Sequence, residues 1–151
     1  MAESQTRSRF MRMIHILDPH PIENMLSIEK GMPDVEFIGG WAEIKWLPRW
    51  PMRKDTPVRI PHYTDDQRRW LRERQAAGER CFLVLQIRRE WFVWDADGAQ
   101  TIGHQTRQEM IDGALAYWNH TPSSEEMLEA ISMPLVRAGN ASSSLINCSV
   151  P

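Results

Sequence analysis

Cysteine is nearly absent, with two residues in the chain. Cys81 sits inside an apolar run and Cys148 in the C-terminal segment, so neither a disulfide framework nor a cysteine metal cluster is available, and a reducing compartment is expected. Long apolar stretches are missing too. Arg7, Arg9 and Arg12 interrupt the N-terminus, and no later run reaches the roughly 18 apolar residues that a membrane span needs. A cytoplasmic protein with no membrane partner is expected. There is no glycine-rich phosphate loop, no dinucleotide fingerprint and no Ser/His/Asp order. His62 and His104 lack paired zinc-type ligands and are expected at the polar surface. Charge of one sign is also lacking: the formal net charge is only -2, which gives no whole-chain argument for a polyanionic partner.

What is present is an ordinary globular balance, 42% hydrophobic and 25% charged over 151 residues, enough for one core and one domain. The charge is unevenly spread. Lys45 to Arg74 carries nine Lys/Arg against four acids, whereas Asp95 to the end carries two against seven. A basic segment of this kind suits phosphate contacts. Residues 1–12 read as a loose basic arm, residues 13–137 as the domain and 138–151, small and polar, as a flexible tail.

The most informative stretch is Val35-Glu36-Phe37-Ile38, then Gly39-Gly40, then Trp41 through Leu47. Two strand-like runs separated by two glycines predict a hairpin. A tight turn at those glycines sets Ile38 opposite Trp41, Glu36 opposite Glu43 and Asp34 opposite Lys45. Alternation then sorts the hairpin into two faces. Val35, Phe37, Ala42 and Ile44 make an apolar face; Asp34, Glu36, Glu43 and Lys45 make a polar one. Opposed carboxylates repel unless something neutralises them.

Pro48, Pro51, Pro57 and Pro61 predict a long loop over 48–62. Thr64 and Gln67 have capping-box spacing, Asp65 and Asp66 suit a helix start, and Gly78 is placed to end that helix. Cys81 to Ile87 and Trp91 to Trp94 predict a second strand pair. Capping boxes at Thr106/Glu109 and Ser123/Glu126 predict helices at roughly 107–118 and 124–132. Of the seven tryptophans, Trp41, Trp70, Trp91 and Trp94 are assigned to the core, whereas Trp46 and Trp50, beside Arg49 and Arg53, suit nucleic-acid contact.

Hard divalent cations take one or two carboxylates from a protein and leave other positions to water and phosphate. In the predicted hairpin Asp34 and Glu43 are diagonal neighbours, roughly 7–8 Å apart at the backbone, able to share one ion. The carbonyl of Ile44 is placed to add an oxygen. Lys45, on the same face, is placed to orient an attacking water or to steady charge on a phosphate.

Gly31-Met32-Pro33-Asp34 followed by Glu43-Ile44-Lys45 resembles the signature of the PD-(D/E)XK nucleases. Glu23-Asn24 upstream, Trp50-Pro51 in the loop, and Gln67 with Trp70-Leu71 ahead of Gly78 and an apolar strand extend the likeness to small phage-encoded members, similar in layout to Holliday-junction resolvases and virus-type replication-repair nuclease domains. The likeness covers about residues 20–95. It implies an α/β restriction-endonuclease-like core, a mixed central sheet flanked by helices, to which this chain adds C-terminal helices. It also implies an endonuclease acting on DNA through Mg²⁺ or Mn²⁺, possible as a homodimer, with branched or recombination intermediates as candidate substrates. Asp34 and Glu43 would be metal ligands, Lys45 the catalytic lysine and Glu23 the upstream acid. Glu23 lies only eleven residues before Asp34, closer than the commoner pattern, and Glu29 competes with it. Gln67 resembles a glutamine that some members place near the metal, although its capping role is sufficient to explain it. DNA contacts are assigned to Arg49, Trp50, Arg53, Lys54 and Arg59. A DNA-binding or virion-associated module that retains the motif without catalysis is the alternative.

Overall fold

The computed structural model describes residues 2–22 and 29–132. Its centre is a six-stranded mixed sheet in the order β1-β2-β3-β4-β5-β6, formed by β1 (His20–Pro21), β2 (Val35–Phe37), β3 (Gly40–Leu47), β4 (Arg80–Ile87), β5 (Glu90–Asp95) and β6 (Ala116–Trp118). All neighbours are antiparallel except β3 and β4, which run parallel from Gly40↔Arg80 to Leu47↔Ile87. A parallel pair needs a long crossover. Here it is the loop after β3 followed by α2 (Asp65–Ala76).

Helices cover both faces. Trp70 and Leu71 of α2 pack with Ala96 and Ala99 of α3 (Ala96–Ala99), Met110 of α4 (Arg107–Gly113), and Leu47, Leu83, Leu85, Phe92 and Trp94 of the sheet. On the other face Phe10, Met13 and Ile14, in or just after α1 (Ala2–Met13), meet Met127 and Ile131 of helical residues 124–132 over Val35, Ile44, Val84 and Trp91. Among the described residues no helix is long and apolar enough to cross a membrane.

The N-terminal residues are therefore a docked helix, not the loose arm expected of 1–12. Thr6, Phe10 and Met13 recur at helical spacing and are all buried, while Arg7, Arg9 and Arg12 lie between them. A helix this short is marginal alone; burying Phe10, Met13 and Ile14 contributes roughly 1.5–3 kcal/mol per side chain. A second correction concerns 107–118. The Thr106 cap forms, but α4 stops at Gly113, and Ala116–Trp118 extends instead to pair with β5. The Ser123/Glu126 box forms as expected. The tail expected at 138–151 lies outside the described residues.

The β2–β3 hairpin exists with its turn displaced. Phe37 pairs with Gly40 and Val35 with Ala42, so the loop residues are Ile38 and Gly39, not Gly39 and Gly40. Gly39 takes the positive φ of 93°. Gly40 belongs to β3, where a Cβ would overlap the Arg80 carbonyl of β4. The slip is two residues, so alternation preserves both faces. Val35, Phe37, Ala42 and Ile44 are buried against α1; Glu43 and Lys45 point to the α2 face.

Candidate metal centre

The displaced register changes which side chains meet. Glu36 opposes Trp41 rather than Glu43 and is exposed. Continuing the same pairing past the end of β2 sets Asp34 against Glu43, not against Lys45, and Pro33 against Ile44. Proline has no N–H, so the ladder ends there. The Ile44 N–H, which would have bonded residue 33, instead donates to Asp34 Oδ2 at 2.8 Å. Paired residues of an antiparallel ladder exchange both of their bonds, so the Ile44 carbonyl faces the same side, where Pro33 has no donor to give it. Pro-Asp thus does two things at once: it stops a strand and leaves a backbone oxygen beside a carboxylate. Gly31, with φ of 84°, lets this segment lie against the start of α2, since a Cβ would overlap the Asp66 carbonyl.

Glu43 and Lys45 are almost completely buried, at 1% and 3% exposure. Lys45 Nζ lies 3.0 Å from Glu43 Oε1 and donates to the His62 carbonyl at 3.1 Å. His62 holds a left-handed backbone, φ 62°, that presents this carbonyl while its side chain is exposed. Glu43 Oε1 also accepts from Gln67 Nε2 at 2.7 Å. Oε2, by contrast, is buried without a hydrogen-bond partner among the described residues. Burial pushes the Glu43 carboxyl well above its ordinary value, the negative charge of Asp34 adds to the push, and Lys45 opposes it.

Gln67 makes the cap that its position suggests and also contacts Glu43. Its amide oxygen accepts from the Thr64 N–H and its own N–H is capped by the Thr64 hydroxyl, while the amide nitrogen fixes Glu43. Gln67→Ala is expected to cost about 1 kcal/mol through the cap and also, by removing the donor to Glu43 Oε1, to deepen the loss of stability with rising pH. Thr64→Ala, which removes the cap without touching Glu43, is the control. Melting curves over pH check this; the same pH dependence in the two variants would reduce Gln67 to a capping residue.

One acid near the centre escaped sequence reasoning. Glu3, in the first turn of α1, lines a small pocket with Asp34 and Ile44, and its charge also raises the Glu43 carboxyl. The signal was present, because Glu3 continues the stripe of Thr6, Phe10 and Met13 at three- and four-residue steps. Glu23 lies outside the described residues. Glu29 is exposed, ahead of the turn that leads into Asp34.

The residues fit a hard cation. An orphaned buried carboxylate oxygen, a second carboxylate in register with it and a backbone carbonyl without a ladder donor are the oxygen donors such ions take. Among the described residues no three Asp, Glu, His or Cys side chains converge as a ready-made cage, so water and substrate oxygens would complete the shell.

Of the residues assigned to DNA, Arg49, Arg53, Lys54 and Arg59 are exposed. Trp50 is half-buried, with its N–H donated to Glu90, its ring edge-to-face with Phe92 and the Arg107 guanidinium 4.7 Å over it. Trp46 is half-buried, and of the four core tryptophans Trp70, Trp91 and Trp94 are buried while Trp41 is partly so. Burial pushes the Cys81 thiol up to about 12, which leaves it an inert core residue. Compared with protein-family models and with curated protein sequences, the chain matches none.

Proposed function

We propose that the protein is a divalent-cation-dependent nuclease of the PD-(D/E)XK type with a restriction-endonuclease-like core, hydrolysing phosphodiester bonds of DNA. The observation that carries this reading is the buried Oε2 of Glu43, unpartnered among the described residues, beside Asp34 and the Ile44 carbonyl, with Lys45 fixed next to it. Asp34, Glu43 and the Ile44 carbonyl would hold Mg²⁺ or Mn²⁺, and Glu3 is the acid that α1 brings alongside. When bound, such an ion lowers the pKa of a coordinated water and neutralises charge on the phosphate.

The chain's own residues do the rest. Gln67 and Lys45 both bond Oε1 of Glu43, which fixes the carboxylate and leaves Oε2 as its open donor. The His62 carbonyl and Glu43 hold the Lys45 ammonium in place, so its charge is pre-positioned for an anionic phosphate or a developing hydroxide at no reorganisation cost. The half-buried Asp34 is fastened through one oxygen to the Ile44 N–H, which orients the other.

The test is cleavage of supercoiled plasmid, linear duplex and four-way DNA with Mg²⁺, repeated after chelation. Nicking that requires the metal and disappears in Glu43→Gln is the expected result. Cleavage that is indifferent to chelator, or absent from every substrate with both metals, would overturn the reading.

A further inference from the structure

The fold assembles a basic groove that no single stretch of sequence displays. At the ends of β3 and β4, Arg49 and Met52 from the loop after β3, Arg88 and Arg89 from the β4–β5 turn, and Arg107 from α4 line one open depression with Glu90. One carboxylate faces four guanidinium groups, and it is fully used. Glu90 accepts from Arg107 at 3.0 Å, from the Tyr117 hydroxyl at 2.6 Å and from the Trp50 N–H. It thereby fixes the wall of the groove. Arg49, Arg88 and Arg89 are exposed and have no ion pair among the described residues.

The two-arginine turn is held in place from beneath. Arg88 takes a left-handed backbone, φ 56°, where glycine is the usual residue. The Gln86 amide, buried under α1, donates to the Arg88 carbonyl at 2.5 Å and accepts from Thr6 at 2.8 Å. A conformation disfavoured for arginine, secured by a buried amide, keeps two uncompensated charges at the rim. Beside them Met52 is fully exposed. A free inorganic anion needs only the guanidinium groups; a nucleotide strand also offers sugar and base surface for an exposed thioether.

We propose that this groove binds a nucleic-acid strand, with Arg49, Arg88 and Arg89 on consecutive backbone phosphates and Met52 against a sugar or base. The choice of a nucleic-acid strand rests on the nuclease reading; the anion chemistry of the groove does not. Trp50 then acts as wall, not as stacking platform.

The experiment is equilibrium binding of labelled single-stranded DNA and RNA of one sequence in chelator, across a salt series, so that no hydrolysis intervenes. The Arg49→Ala/Arg88→Ala/Arg89→Ala protein is expected to lose about tenfold or more in affinity at low salt and about 2–3 in the slope of log K against log salt, because three phosphate contacts no longer release counterions. Its melting temperature should match wild type, and the triple Lys variant should keep the slope. Met52→Ala should weaken binding with the slope unchanged. Equal losses on DNA and RNA mark the shared backbone, and a loss on one alone selects that strand. An unchanged slope and affinity of the triple Ala variant on both strands overturns the groove. A flattened slope without metal-dependent cleavage would keep the groove and remove the nuclease reading; cleavage with an intact slope would do the reverse.

Discussion

Asp34→Asn and Glu43→Gln should each abolish cleavage by orders of magnitude while leaving the metal-free fold intact or firmer. The two effects have opposite signs for one reason. In the absence of a cation, Glu43 is a carboxyl taken out of water with Asp34 beside it, and burial is the larger of the two penalties. Its folded value is raised above the ordinary 4.5, so the native state holds a proton that the unfolded chain has released. Stability must then fall as pH rises from about 4.5 towards the raised folded value. Oε1 already accepts from Lys45 and Gln67, which leaves Oε2 as the oxygen open to a proton. Glu43→Gln removes the ionisation and should flatten this slope; Asp34→Asn removes one cause of the shift and should reduce it. The Asn side-chain oxygen still accepts from the Ile44 N–H, so the strand end survives. A cation competes for the same oxygen, and binding to wild type should release protons and become tighter with rising pH. Chelator-treated melting curves over pH, Mn²⁺ calorimetry in two buffers of different ionisation enthalpy and cleavage rates check these points together. A variant cutting DNA as fast as wild type, or wild type binding no divalent ion, would remove the metal centre.

The polar face of the hairpin was legible because a two-residue slip keeps every side chain on its face, and alternation carries no information about which partner is opposite. The turn was misplaced for a reason outside the hairpin: Gly40 is needed for the close approach of the Arg80 backbone on β4, a contact between residues forty apart in sequence. The docked helix α1 was hidden by its arginines, although they fall between the buried positions. Of the backbone contributions, the Ile44 carbonyl was already suggested by the hairpin, whereas the His62 carbonyl that holds Lys45 depends on a left-handed residue that no side-chain pattern reports. The basic surplus over Lys45 to Arg74 was a blunt guide. Arg68 spends its guanidinium on the Ile102 and Tyr63 carbonyls and Arg74 lies over Trp70. Arg88, Arg89 and Arg107, outside that count, are brought to the groove by the β4–β5 turn and α4.

Removing the lysine should be more damaging to the fold than removing either acid. Lys45 is as buried as Glu43, and its ammonium both opposes the upward push on that carboxyl and satisfies the His62 carbonyl. Lys45→Met keeps the aliphatic volume but leaves a buried carbonyl without a donor and a buried carboxyl without its counter-charge. Breaking one side of a buried pair typically costs about 3–5 kcal/mol. The cost should be smallest at acid pH, where Glu43 is protonated, and should grow as pH rises. Adding Glu43→Gln should recover a good part of it, because the amide needs no counter-charge; the remainder reports the orphaned His62 carbonyl, about 1–3 kcal/mol. A double-mutant cycle by denaturant unfolding at two pH values separates these contributions. Cation binding gives the complementary signature. Lys45→Met removes a positive neighbour from Glu43, so Mn²⁺ should still bind and should restabilise the variant by more than it stabilises wild type, while cleavage stays lost because no ammonium faces the phosphate. Additive stability losses in the cycle would remove the counter-charge role of Lys45, and cleavage retained in the metal-loaded Lys45→Met protein would show that Lys45 is a structural cation only.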